Sequence, residues 1–119
     1  MNHITMYLLV NSDVKMGSGK MAAQCCHAAV AVIRHLEGKG NKVYERWKIT
    51  GEKTIVLKSS RAIMERLLVQ FGDIGFPVWC YPIYDMGLTQ VEAGTFTVLA
   101  FNPIENDRVP EELRSMKLY

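Results

Sequence analysis

Cysteine is scarce in this chain of 119 residues, and poorly spaced for metal or disulfide chemistry. Cys25, Cys26 and Cys80 include no CxxC pair and would leave one thiol over if two were bridged, which argues against a structural zinc site and for a reducing compartment. Long apolar runs are missing as well. The opening MNHITMYLLVNS holds about eight apolar residues between polar flanks, too few to cross a bilayer, and lacks the basic start and small-residue cleavage site of a signal peptide. A cytoplasmic protein with no membrane segment is the expectation. No internal repeat, low-complexity tract or linker divides the chain, and 119 residues with 49% hydrophobic content suffice for one domain, residues 1–119, with a real core but not for two.

Charge is present but lopsided. The formal net charge is +2, yet residues 1–60 hold nine Lys/Arg against four Asp/Glu, while residues 61–119 hold five against eight. A basic N-terminal half suits a polyanionic partner approaching one face, although an excess of this size is also what an ordinary solvated surface shows.

The pattern of elements alternates. Ile4 to Val10 reads as a buried strand, followed by a polar loop to Gly19. No proline interrupts the helix-forming series from Lys20 to about Glu37, and Gly38 to Asn41 supply its stop and a loop. A short helix over Lys42 to Lys48, a strand over Thr54 to Lys58, and a helix from Arg61 to about Phe71 with Ser60 as N-cap come next. Pro77 to Tyr84 and Thr95 to Phe101 are the remaining strands, joined by a segment too short for a crossover helix and therefore antiparallel. Pro110 fronts a last short helix in EELRSM. The expected fold is α/β, a three-layer α/β/α sandwich around a four-stranded mixed sheet.

The segment KMGSGKMAAQCCHAAV, residues 15–30, carries the strongest chemical signal. Gly17 and Gly19 let the backbone turn sharply into a helix of small residues, so that the first helical N–H groups and the ammonium of Lys20 form a place for a phosphate or an oxyanion. A plain glycine-rich loop before a core helix is the alternative. At about 100° per residue, Lys20, Gln24, His27 and Ala31 share one arc, and Ala22, Cys25, Ala29, Ile33 and Leu36 fill the opposite, packing side. Lys20 stands in the first turn, where a cation is unfavourable unless an anion lies nearby.

Two nucleotide motifs fail here or fit poorly. Met21 occupies the hydroxyl position of a P-loop and the upstream glycine spacing is wrong. Gly17-x-Gly19-x-x-Ala22 matches the loose dinucleotide fingerprint, but six residues separate it from Val10 and no acidic residue closes the second strand at Lys58-Ser59-Ser60. Nicotinamide binding remains a minor alternative.

A second constellation is Asp85-Met-Gly-Leu-Thr-Gln90 with Gly94-Thr-Phe-Thr97. Asp85 ends an apolar strand, which places its carboxylate at a sheet edge where ligand sites form, or else in a turn before Gly87. Period-two geometry puts Thr95 and Thr97 on one face of their strand and Phe96 and Val98 on the other.

Together these residues give the pattern a name. The chain resembles the peptidyl-tRNA hydrolases of the archaeal and eukaryotic type, also called type 2, in Asp13-Val-Lys-Met-Gly-Ser-Gly-Lys20, MAAQCCHAAV at 21–30, Trp47, Gly51 with Lys53, the strand end at Lys58, DMGLTQ at 85–90, GTFTVL at 94–99 and Lys117-Leu-Tyr119. The resemblance implies hydrolysis of the ester between a peptide and the 3′ ribose of tRNA, a homodimer, no metal and no organic cofactor. It matches Lys15 and Lys20 to the family's loop lysines, Asp85 to its acidic residue, and Thr89, Thr95 and Thr97 to its hydroxyl positions. Ser18 stands where the family usually has a lysine, Leu88 where it often has an arginine, and Phe101-Asn102-Pro103 where it has a glycine-containing turn.

Ester hydrolysis needs a positioned water, a base or polarising group, and donors for the tetrahedral oxyanion. The expected catalytic set is Lys20, Asp85, Thr89 and Thr97, with Lys15, Gly17, Gly19, Gln24, His27, Gln90 and Thr95 binding substrate. Asp85 orients the water, and Lys20 with the helix N-terminus stabilises the oxyanion. An exposed Asp, with a reference pKa of about 3.9, is a poor base near neutrality unless burial raises it, so ordering the water is the simpler role. Covalent catalysis by Cys25 or Cys26 is disfavoured, since no His–carboxylate relay is evident. Phosphate contacts are expected from Lys15, Lys39, Lys42 and Lys53, and Trp47 is assigned to the core. A non-catalytic RNA- or protein-binding module is the alternative class.

Overall fold

In the computed structural model, which describes residues 3–75, 77–86 and 94–119, Ile4–Asn11 forms strand β1, and its side chains alternate between two cores. Ile4, Met6, Leu8 and Val10 enter one, Leu9 and half-buried Tyr7 the other. A strand that is apolar at nearly every position has to be covered on both faces. Helices α1 (Ser18–Leu36) and α2 (Lys42–Ile49) cover the first face through Ala28, Val32, Leu36, Tyr44 and Trp47. Helices α3 (Arg61–Phe71) and α4 (Glu111–Arg114) cover the second through Met64, Leu67 and Leu113. The α/β sandwich expected from the alternating elements is the one that forms, with Trp47 in its core.

The sheet order is β2 (Thr54–Ser59), β1, β4 (Phe96–Phe101), β3 (Cys80–Tyr84). Strands β1 and β2 are parallel, with Leu8 beside Val56, and β4 runs antiparallel to both β1 and β3. The sheet has five strands, not the expected four: β5 (Ile104–Glu105) pairs with the start of β1. The chain leaves the ladder at Asn102 and Pro103 and rejoins β1 further along, and a two-residue strand after a proline carries no readable period. Asn102 holds this corner. Its Oδ1 accepts from the Trp79 backbone N–H at 2.9 Å and its Nδ2 donates to the Pro77 carbonyl at 2.9 Å.

Helix boundaries follow local chemistry. The Ser60 hydroxyl accepts from the Ile63 N–H at 3.3 Å, the expected cap of α3, and the Asn41 side chain caps α2 by accepting from the Tyr44 N–H at 2.9 Å. Gly38, at φ +75°, takes the left-handed conformation that ends α1. Residues 117–119 lie against the outer edge of β2, where the Lys58 N–H donates to the Lys117 carbonyl at 2.8 Å and the Tyr119 N–H to the Val56 carbonyl at 3.0 Å.

Strands β1, β2 and β3 point the same way, so Asn11, Ser59 and Tyr84 end at one edge of the sheet. The first turn of α1 begins at that edge too. In α/β sheets this carboxyl edge is where ligand sites form.

Candidate active site

Four polar side chains from three elements meet at that edge. The Lys20 ammonium in the first turn of α1 is ion-paired to Asp85, just beyond β3, and their side chains are only 9% and 3% exposed. Gln24, one turn on, lies beside the same carboxylate, with Nε2 at 3.5 Å from Asp85 Oδ1. Its Oε1 accepts from the Thr97 hydroxyl of β4 at 2.6 Å. The result is a polar chain from Lys20 through Asp85 and Gln24 to Thr97, set into a largely apolar core. Among the described residues, no buried side-chain nitrogen or oxygen lacks a hydrogen-bond partner.

The ion pair answers the electrostatic problem posed by Lys20. A cation in the first turn of a helix faces the positive end of the helix dipole, and a carboxylate in contact offsets both that repulsion and the loss of water. Asp85 is held by its own backbone, its N–H donating to the Thr95 carbonyl at 2.8 Å and its carbonyl accepting from the Gly94 N–H at 2.7 Å. Gly94 has φ +83°, a conformation open to glycine at little cost.

Thr97 reaches Gln24 because β4 contains a bulge. Ile83 pairs with Val98 but Tyr84 pairs with Phe96, so one step on β3 spans two on β4 and Thr97 is the extra residue. This corrects the period-two reading. Phe96 and Val98, expected on one face, enter opposite cores, Phe96 with α3 and Val98 with α1. Simple alternation cannot register an inserted residue.

The helical reading is corrected as well. The buried line of α1 is Gln24, Ala28, Val32 and Leu36, continuing from Lys20 at intervals of four, whereas Ala22, expected to pack, is exposed. Gln24 is 4% exposed and belongs to the buried side, while His27, placed in the same arc, faces solvent. A buried polar network looks like a wet face when only polarity is counted.

The other expected residues divide by position. Lys15, Gly17 and Gly19 are exposed, Gly17 being the N-cap of α1, and Thr95 is half-buried. Thr89 and Gln90 lie outside the described residues, as does Leu88. Lys39, Lys42 and Lys53 are exposed but lie at the opposite end of the sheet from Lys20, since the Met6 N–H, near the start of β1, donates to the Lys53 carbonyl at 2.9 Å. The 19 residues of α1 separate the two ends by about 28 Å. Burial, and then neighbouring Cys26, push the Cys25 thiol up to about 11, which leaves it protonated near neutrality and a poor nucleophile.

Asn11 carried no signal of its own in the sequence, and Asp13 entered only as the first residue of the Asp13–Lys20 motif. Asn11 Nδ2 donates to the Phe96 carbonyl at 2.8 Å, and its Oδ1 accepts from the Asp13 N–H at 2.9 Å. Asp13 Oδ2 in turn accepts from the Arg61 N–H at 2.9 Å, adding to the cap of α3. Asn-x-Asp at the end of a strand is the local signal for such turns.

The family described as Peptidyl-tRNA hydrolase PTH2 matches residues 4–119. The chain belongs to that family. Relatives include a protein of Mus musculus named peptidyl-tRNA hydrolase 2, mitochondrial, 36% identical over 115 residues that cover 96% of this chain and 62% of the mouse protein. A Methanococcus vannielii protein named peptidyl-tRNA hydrolase is 34% identical over 114 residues, covering 93% of this chain and 95% of its own length. Peptidyl-tRNA hydrolase 2 of Saccharomyces cerevisiae is 32% identical over 123 residues, covering 98% of this chain and 58% of the yeast protein. The chain therefore spans about three-fifths of the mouse and yeast proteins and nearly all of the archaeal one. No helix among the described residues is long and apolar enough to cross a membrane.

Proposed function

We propose that this chain is an ester hydrolase that cleaves peptidyl-tRNA, releasing free tRNA and a peptide, by attack of a water held at Asp85. The observation that carries the reading is the buried contact of Lys20 with Asp85 at the carboxyl edge of the sheet, in a chain whose family and relatives bear the name of that activity.

The chemistry follows from charge and position. Water adds to the ester carbonyl and gives a tetrahedral oxyanion, which the Lys20 ammonium and the N–H groups at the start of α1 stabilise. Asp85 accepts a hydrogen bond from the attacking water and fixes its direction, the role that suits a carboxylate in contact with an ammonium. Gln24 and Thr97 keep the carboxylate and the helix in register, and the proton lost by the water passes to the departing 3′ oxygen. Lys15, on the loop beside the site, meets phosphate near the acceptor end, and Thr89, Gln90 and Thr95 complete the substrate contacts. A homodimer and a cytosolic location belong to the same reading, for which the three free thiols fit a reducing environment.

The test is release of an N-blocked aminoacyl group from tRNA by purified protein, with Lys20→Ala and Asp85→Ala alongside. Turnover that collapses in both variants, with the fold intact by circular dichroism, supports the reading. Binding of tRNA without turnover favours the non-catalytic module instead.

A further inference from the structure

We infer that Asn11 is a positioning residue of this site: by holding the Phe96 carbonyl it sets the β4 bulge that turns Thr97 toward Gln24, and through Asp13 it ties the loop bearing Lys15 to the same point. The inference rests on the proposed hydrolase function for its activity arm alone.

The register of β1 with β4 runs through Leu8–Ala100, Leu9–Leu99 and Val10–Val98. The next position on β1 is Asn11, and the next on β4 is Thr97, the bulged residue. The bulge is set against β3, while the β1–β4 ladder ends at Val10–Val98 and leaves β4 backbone groups beyond it in need of other partners. Asn11 meets that need with its side chain. Its amide Nδ2 donates to the Phe96 carbonyl at 2.8 Å from a position only 1% exposed, linking residues 85 apart in sequence. With that carbonyl fixed, the backbone on the N-terminal side of Thr97 is fixed, and the Thr97 hydroxyl is delivered 2.6 Å from Gln24 Oε1.

The other end of the same amide faces the loop. Asn11 Oδ1 accepts from the Asp13 N–H at 2.9 Å, Asp13 Oδ2 accepts from the Arg61 N–H at 2.9 Å, and the Ser12 hydroxyl donates to the Ser59 carbonyl at 3.0 Å. The start of the loop, residues 12–14, is therefore held in direction. One planar amide, with its donor on β4 and its acceptor on the loop, couples the Thr97 end of the polar chain to the segment that leads into Lys20. Asparagine suits the task because it offers a donor and an acceptor on opposite arms of a rigid group.

The test compares Asn11→Ala and Asn11→Asp with Asn102→Ala, a buried amide of the same chemistry that clamps the corner after β4 at the other end of the strand. Turnover of N-blocked aminoacyl-tRNA is measured for each, together with urea stability and a crystal structure of Asn11→Ala. Asn11→Ala is expected to lower kcat on the order of 10- to 100-fold with KM little changed, because misplacement of a site group by an ångström has effects of that size. Asn102→Ala is expected to lose similar stability while keeping kcat within about threefold, the ordinary insensitivity of a group remote from the site. Asn11→Asp, which keeps the acceptor for Asp13 but lacks the donor for Phe96, is expected to behave as Asn11→Ala. Equal kcat losses in the Asn11 and Asn102 variants would reduce Asn11 to a general stabiliser and overturn the inference. If the wild-type protein shows no turnover, the hydrolase reading fails by itself, and the crystal structure decides: Thr97 still bonded to Gln24 in Asn11→Ala overturns the positioning role, and a straightened β4 supports it.

Discussion

Replacing Lys20 with methionine is expected to cost far more stability than replacing its partner Asp85 with asparagine. The two side chains are nearly equally buried, at 9% and 3% exposure, so the asymmetry comes from mobility. Asp85 sits on a short stem and is tied by its backbone to Thr95 and Gly94, so without Lys20 its charge stays in the core and loses the cation that faces it. Removing one partner of a buried pair in this way costs about 3–5 kcal/mol. The Lys20 ammonium, on a four-carbon stem in the first turn of a surface helix, swings to water once Asp85 is neutral. Asp85→Asn then costs about 1–2 kcal/mol, near the value of a single hydrogen bond. In Lys20→Met/Asp85→Asn no charge is left in the core, and the double variant should match Asp85→Asn, so the coupling should equal the Lys20→Met cost, about 3–5 kcal/mol. Urea unfolding followed by tryptophan fluorescence reads this directly, since Trp47 and Trp79 are 3% and 2% exposed and both report the core. The Lys20→Met midpoint should fall on the order of 2 M below wild type. A Lys20→Met protein as stable as Asp85→Asn, or a cycle additive within about 0.5 kcal/mol, would refute the account of a trapped carboxylate.

Two further outcomes follow from the buried polar groups. Thr97→Val removes the hydroxyl that satisfies Gln24 Oε1 and should lose about 1–3 kcal/mol together with turnover, whereas Thr97→Ser keeps the donor and should retain most of the rate; equal activity in the two would show that the hydroxyl is idle. Stability should also fall at alkaline pH. Burial, then the Glu37 hydrogen bond, push the Tyr44 phenol up to about 12, and burial pushes the Cys80 thiol to about 12 and, with Cys26, the Cys25 thiol to about 11. These groups hold their protons more tightly in the folded chain, so their contribution is whole below the ordinary values of 9.0 to 10.0 and is lost as pH rises toward 11 to 12. Urea midpoints measured from pH 8.5 to 11.5 should decline, less steeply in Tyr44→Phe, and a flat profile would contradict the assignment.

Much of this architecture was legible from residue order. The apolar run 4–10, the unbroken helix from Lys20, the Ser60 cap and the antiparallel return between Asp85 and Thr95 each rest on a local rule that the tertiary structure leaves intact. Lys20 and Asp85, singled out separately, meet in space. Features built by long-range pairing were harder to read. The Thr97 bulge depends on how β4 registers against β3, the burial of Gln24 on what lies opposite α1, and β5 on a partner almost a hundred residues away. None leaves a period in the sequence. Asn11 was hidden for the same reason, since a polar residue after a strand resembles the start of a loop until its distant partner is known.

The short segment 117–119 along β2 has a consequence for the behaviour of the folded chain in concentrated solution. A sheet with a bare outer strand offers its unpaired amides to any other strand, and this one is shielded on the β2 side by residues 117–119. On the far side, β3 carries Pro82 at its centre, a residue with no amide hydrogen to give. Loss of residues 117–119 would leave the β2 flank open to sheet-to-sheet polymerisation while the carboxyl edge of the sheet stayed intact, so handling difficulties would precede any change at the Lys20–Asp85 contact.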